Sequence, residues 1–114
     1  MIYEISLGDL NKDYEPMKST ILYAFRQKTK FQLNIDTSNI EHISMYFLYD
    51  FSKFLFSLKN EKQYLEKTNL YVYNEYVYYL LEHFFIYICR PIAKVQLFLY
   101  ENNELKYLKS FYPW

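Results

Sequence analysis

The chain has 114 residues, with 13 basic and 13 acidic side chains, which is the length of one domain. At 52% hydrophobic it is too apolar for a disordered chain and long enough to bury about two-thirds of its unfolded surface. A formal net charge of zero argues against a general nucleic-acid or acidic-membrane binder, because both need a positive excess to displace counterions.

Tyrosine and phenylalanine dominate, with 15 and 10 residues, while glycine occurs once, at Gly8. Ala24 and Ala93 are the only alanines and Arg26 and Arg90 the only arginines, a bias that fits an A/T-rich gene. Cys89 is the single cysteine, so no intramolecular disulfide can form, and a reducing, cytoplasmic setting is expected. The N-terminal ten residues lack a basic stretch followed by an apolar one, so no signal peptide is expected. The longest greasy run, residues 76–89, contains Glu82 and His83 and falls short of the roughly 20 residues a membrane span needs.

In chain order, residues 2–7 read as a strand, and Gly8 to Asp13 as a loop. Pro16 suits the first turn of a helix, along which Met17, Ile21, Leu22 and Phe25 recur at helical spacing. Phe31, Leu33 and Ile35 alternate with Gln32, Asn34 and Asp36, the pattern of a half-buried strand. A long helix is then expected, capped by Ser38 or Asn39 with Glu41 near the capping-box position. Its stripe runs through Ile40, Ile43, Phe47, Phe51, Phe54, Leu55 and Leu58, with Tyr46, Tyr49, Lys53 and Phe56 beside it. Residues 61–67 read as a short charged connection, and Leu70 to Tyr73 as a short strand or the lead into the next helix. Asn74 can cap a helix over 75–89, which Pro91 stops; being apolar nearly all round, it is expected to be central.

Residues 95–100 and 105–111 flank Asn102-Asn103, which can form a two-residue hairpin turn because asparagine tolerates positive φ. That register sets Leu97 opposite Leu108 and Phe98 opposite Tyr107. The whole is expected to be a single α+β domain, residues 1–114. Its sheet is expected to be mainly antiparallel, built from the N-terminal strand, the middle strand and the C-terminal hairpin, with about three helices on one face. The first strand is a candidate to pair with the hairpin.

A single glycine rules out phosphate-cradling loops of the Walker or dinucleotide type. Cys89, His42 and His83 are too scattered for a structural zinc site. Cys89 follows Phe85-Ile86-Tyr87-Ile88 and reads as an inert core thiol. Neither a catalytic, a cofactor nor a metal site is expected. Glu75 and Glu82 are seven apart on one helix face with Tyr79 between them. They read as the wet edge of a buried helix, or as the acid/base pair of a small hydrolase or nuclease working with a histidine.

The cluster Tyr71, Tyr73, Tyr76, Tyr78 and Tyr79 cannot be wholly buried at low cost. Half-exposed tyrosine is favoured at binding surfaces. The leading expectation is therefore a non-catalytic inhibitor of one protein partner, such as an immunity protein or antitoxin that neutralises a bacterial toxin. Its contacts are expected at Tyr46, Tyr49 and Asp50, or at Tyr71, Tyr73, Glu75, Tyr79 and Glu82. A phage or virus accessory protein that binds a host enzyme has the same physics. A homo-oligomer contact is the other outlet for the same aromatic surface.

Overall fold

The computed structural model describes residues 1–113. The elements are β1 (Ile2–Ser6), α1 (Leu10–Arg26), β2 (Phe31–Asp36), α2 (Met45–Phe56), a 3₁₀ helix (Lys59–Tyr64), β3 (Leu65–Val72), α3 (Glu75–His83) continued by a π turn (Phe84–Ile88), β4 (Lys94–Glu101) and β5 (Glu104–Phe111). The five strands form one sheet in the order β1-β2-β3-β4-β5.

The class is α+β, but the sheet is mostly parallel and not mainly antiparallel, and the described residues form four helices where about three were expected, counting the 3₁₀ helix and taking α3 with its π turn as one. Strands β1 to β4 are all parallel, and only β5 runs antiparallel to β4. The reason lies in the connections. Each of the first three strands is followed by a helical crossover long enough to carry the chain back to the end of the sheet where that strand began. Crossovers of one hand between sequential neighbours place their helices on one side. β1 accordingly pairs with β2 and lies at the opposite edge from the hairpin.

The core sits between the sheet and the helices. Ile5, Phe31, Leu33, Ile35 and Leu65 pack with Tyr14, Met17, Ile21, Ala24 and Phe25 of α1. Val72, Val95, Leu97 and Leu99 pack with Val77, Tyr78, Leu81 and Phe84. The intervening strand residues, among them Asn34, Asn69 and Phe98, face away from every helix.

Local chemistry explains the element ends. Asp9 caps α1 by accepting from the Asn11 N–H at 2.9 Å, while the Asp13 carboxylate accepts from the Gly8 and Asp9 N–H groups. These backbone donors hold the Asp13 carboxyl below its ordinary pKa. They also start the helix earlier than expected, so Gly8 to Asp13 is not all loop and Pro16 lies inside the helix. α2 begins later than expected. Asp36 Oδ1 accepts from the Ser38 N–H and the Ile40 N–H bonds to the Thr37 carbonyl, which folds 37–40 as a turn and leaves Ser44 as the cap. The expected helix over 75–89 is α-helical only to His83. The Cys89 N–H reaches the Phe84 carbonyl, which closes a π turn, and Tyr76, Tyr79 and Tyr87 are exposed. That helix is therefore not central; one face meets the sheet.

Asn102 and Asn103 take φ of 54° and 65°, as the hairpin turn requires. The expected register fails beyond it. Lys106 is an extra residue in β5, so Leu97 faces Lys109, Phe98 faces Leu108 and Leu99 faces Tyr107. Two carboxylates, Glu75 and Glu101, hold the Lys106 ammonium at this bulge.

Candidate functional site

The side of the sheet without helices is the feature that asks for an explanation. Parallel strands are normally covered on both faces. Here register alone lines up two cross-strand rows on the bare side: Glu4, Asn34, Asn69, Gln96 and Ser110, then Ser6, Asp36, Tyr71, Phe98 and Leu108. Tyr73 and Tyr100 lie one step further along β3 and β4.

Four of these side chains form a block of rings. Tyr71 and Phe98 stack with centroids 5.0 Å apart and planes 20° from parallel. Tyr73 and Tyr100 stack at 5.6 Å and 23°. Phe98 and Tyr100, two apart on β4, keep their planes within 15°. Strand spacing of about 4.8 Å produces this geometry whenever aromatics occupy facing positions. Burial, then neighbouring tyrosines and carboxylates, raises the phenol pKa of Tyr71 and of Tyr73, so both hydroxyls stay neutral donors at physiological pH.

Beside the rings runs a directional amide ladder. Glu4 can only accept, so Asn34 donates its Nδ2 to Glu4 Oε1 at 2.9 Å. That turns Asn34 Oδ1 toward Asn69, which donates its own Nδ2 at 2.9 Å. The ladder ends there. Asn69 is 7% exposed, and its Oδ1 has no hydrogen-bond partner among the described residues. A buried carbonyl without a donor is costly and is uncommon in a folded protein.

The residues expected at a partner surface divide three ways. Tyr71 and Tyr73 belong to the ring block. Glu75, Tyr79 and Glu82 are on α3, on the other side of the sheet, and turn to β5. Glu75 binds Lys106, Glu82 lies 3.6 Å from the Lys109 ammonium, and Tyr79 has its phenol pKa raised by Tyr107 ahead of burial. The expected second patch is thus two surfaces and not one. Tyr46 is 72% exposed on α2, and the nearby Tyr49 packs edge-on against Phe84. Asp50 accepts from the Tyr14 hydroxyl and from Lys18 at 3.4 Å, so it ties α2 to α1.

Sequence reasoning missed Asn34, Asn69, Phe98, Tyr100 and Leu108. The signal was present as strict alternation in β2 and β4, whose second phase is this face.

The groups considered for catalysis stay dispersed. The Glu75 and Glu82 carboxylates are each matched to a different lysine, and hydrogen bonding by Lys106 lowers the Glu75 pKa. His83 lies against Tyr87 and His42 against Tyr76. Cys89 is only partly buried, and its Sγ points to the Arg90 carbonyl at 3.4 Å. Among the described residues, no group of three or more His, Cys, Asp or Glu could hold a metal ion, and no helix is long and apolar enough to cross a membrane. Against protein-family models, curated proteins and solved structures, the chain shows no match.

Proposed function

We propose that this chain is a non-catalytic binding protein that inhibits one protein partner by laying its helix-free sheet face over it. An immunity protein or antitoxin that neutralises a bacterial toxin is the form of inhibitor the chain resembles in size and aromatic content. The observation that carries the reading is the block of Tyr71, Tyr73, Phe98 and Tyr100 on the uncovered side of a mostly parallel sheet. Rings fixed by their neighbours lose little rotamer entropy on binding, and exposed aromatic clusters supply most hot spots. Five strands at about 4.8 Å spacing and six residues at about 3.3 Å rise span roughly 24 by 20 Å, a large part of the ~800 Å² that one partner commonly contributes.

The test is capture of the tagged chain with its bound proteins from the source cells, read by native mass spectrometry. A single foreign protein in one-to-one ratio is expected, and the Tyr71→Ala/Phe98→Ala double variant loses it. A partner retained by that variant, or a homodimer with nothing else bound, overturns the reading. The identity of the captured protein distinguishes a toxin from the host enzyme that a phage or virus accessory protein would bind.

A further inference from the structure

We infer that the cavity beneath α2 binds a small aromatic molecule carrying one hydrogen-bonding group, of the phenol class. The cavity has a volume of about 120 Å³ and lies between the helix-bearing face of the sheet and α2, with Leu33, Thr68 and Val95 on one side, Phe47 and Phe51 on another, and Phe84 also lining it. This is the opposite side of the sheet from the ring block, so the inference does not depend on the partner reading.

Two observations point to a ligand of this kind. The first is how loosely α2 is seated. Its sequence, MYFLYDFSKFLF, is mostly apolar, yet Leu48 is its one buried residue. Phe47, Phe51 and Phe54 are only partly buried. Space of about 120 Å³ therefore lies under a helix that has apolar surface to spare. Apolar cavities of about 150 Å³ stay dry and admit benzene.

The second is a single hydroxyl. Thr37 donates to the Tyr71 carbonyl, Ser52 to the Leu48 carbonyl and Tyr14 to Asp50, so three of the lining hydroxyls have their protons committed. Thr68 is 9% exposed, and its hydroxyl has no partner among the described residues. A wholly apolar cavity would reject a phenol, because its hydroxyl would lose water and gain nothing. The Thr68 oxygen reverses that balance, while the phenylalanine rings meet the ligand's faces and edges.

The experiment titrates isotopically labelled protein with phenol and, separately, with toluene, following the methyl resonances of Leu33, Leu81 and Val95. Both probes are expected to shift these signals saturably. Thr68→Val is expected to weaken phenol about five-fold or more, the equivalent of one hydrogen bond, and to leave toluene unchanged. Ile43→Trp, which fills the space, abolishes both; Ser52→Leu serves the same purpose should that variant fail to fold. Absence of saturable shifts in the unmodified protein shows that α2 closes the space and overturns the site. Equal effects of Thr68→Val on the two probes overturn the assigned chemistry.

Discussion

Asn69 donates to Asn34 across the β2–β3 ladder at 2.9 Å and in doing so leaves its own carbonyl oxygen unpartnered in the middle of the bare sheet face. The direction of this chain is imposed from the edge by Glu4, which accepts and cannot donate. An arrangement optimised for stability alone would replace both amides with β-branched apolar residues. The double variant Asn34→Val/Asn69→Val is therefore expected to keep its stability or gain about 1 kcal/mol in chemical denaturation, since removing both partners of a buried hydrogen bond is nearly neutral. A loss exceeding that amount would make the ladder a structural device and remove it from the binding surface.

The ring block carries a second expectation. Tyr71→Ala and Phe98→Ala should each weaken capture of the partner by about 2 kcal/mol or more, measured by calorimetry or surface binding. Tyr46→Ala, on the far side of the molecule and 72% exposed, should leave affinity unchanged. Equal sensitivity at Tyr46 would move the interface to α2.

The contact between Tyr14 and Asp50 makes stability depend on pH in the alkaline range. Burial first, and then the bond to Asp50, raise the Tyr14 phenol above its ordinary pKa. A raised folded-state pKa contributes stability that is fully present below the unfolded value, near 10, and is lost as pH climbs from there toward the folded value. Tyr14→Phe should cost about 1 kcal/mol at neutral pH and flatten the decline above pH 10. Denaturation midpoints of the two proteins between pH 7 and 11 check both parts.

Glu75 gives the opposite sign. Lys106 lowers its pKa, so its contribution is present above the unfolded carboxyl value, near 4.3, and is lost as pH falls through the folded value. A carboxylate held in this state cannot act as a general acid near neutrality. An NMR titration should place its midpoint below that of an unstructured glutamate; a midpoint near 6 would revive the hydrolase reading.

Lys28 closes α1 at a φ of 54°, the left-handed region in which a side chain is strained. Lys28→Gly should stabilise the domain by about 0.5–1 kcal/mol, visible as a higher denaturation midpoint. No gain would mean that the lost unfolded-state restriction offsets the relief.

Much of the secondary structure was legible in the residues themselves. Alternation of Phe31, Leu33 and Ile35 with polar neighbours marked β2, the pair Asn102-Asn103 marked the hairpin turn, and Asn74 marked the start of α3. Each signal is local, because backbone sterics and hydrogen bonding act over a few residues. Strand direction was not legible. The order of elements, with a hairpin at the end, points to a mainly antiparallel sheet, yet alternation within a strand reports only that one face is wet, and this parallel sheet has such a face. The hairpin register was likewise not legible: Lys106 stands as an extra residue in β5, where its ammonium meets Glu75 of α3 and Glu101 of β4.

The aromatic surface shows the same division. Composition guaranteed that some tyrosines would be exposed, because so many hydroxylated rings cannot all be buried and satisfied. Which rings assemble was fixed by pairing between β3 and β4, residues 27 apart in the chain at Tyr71 and Phe98. That pairing separated Tyr71 and Tyr73 from Glu75, Tyr79 and Glu82, their near neighbours in sequence. Sequence determined the alternating and turning elements; tertiary structure decided the faces, because a face is made by side chains from different strands that only the folded register brings together.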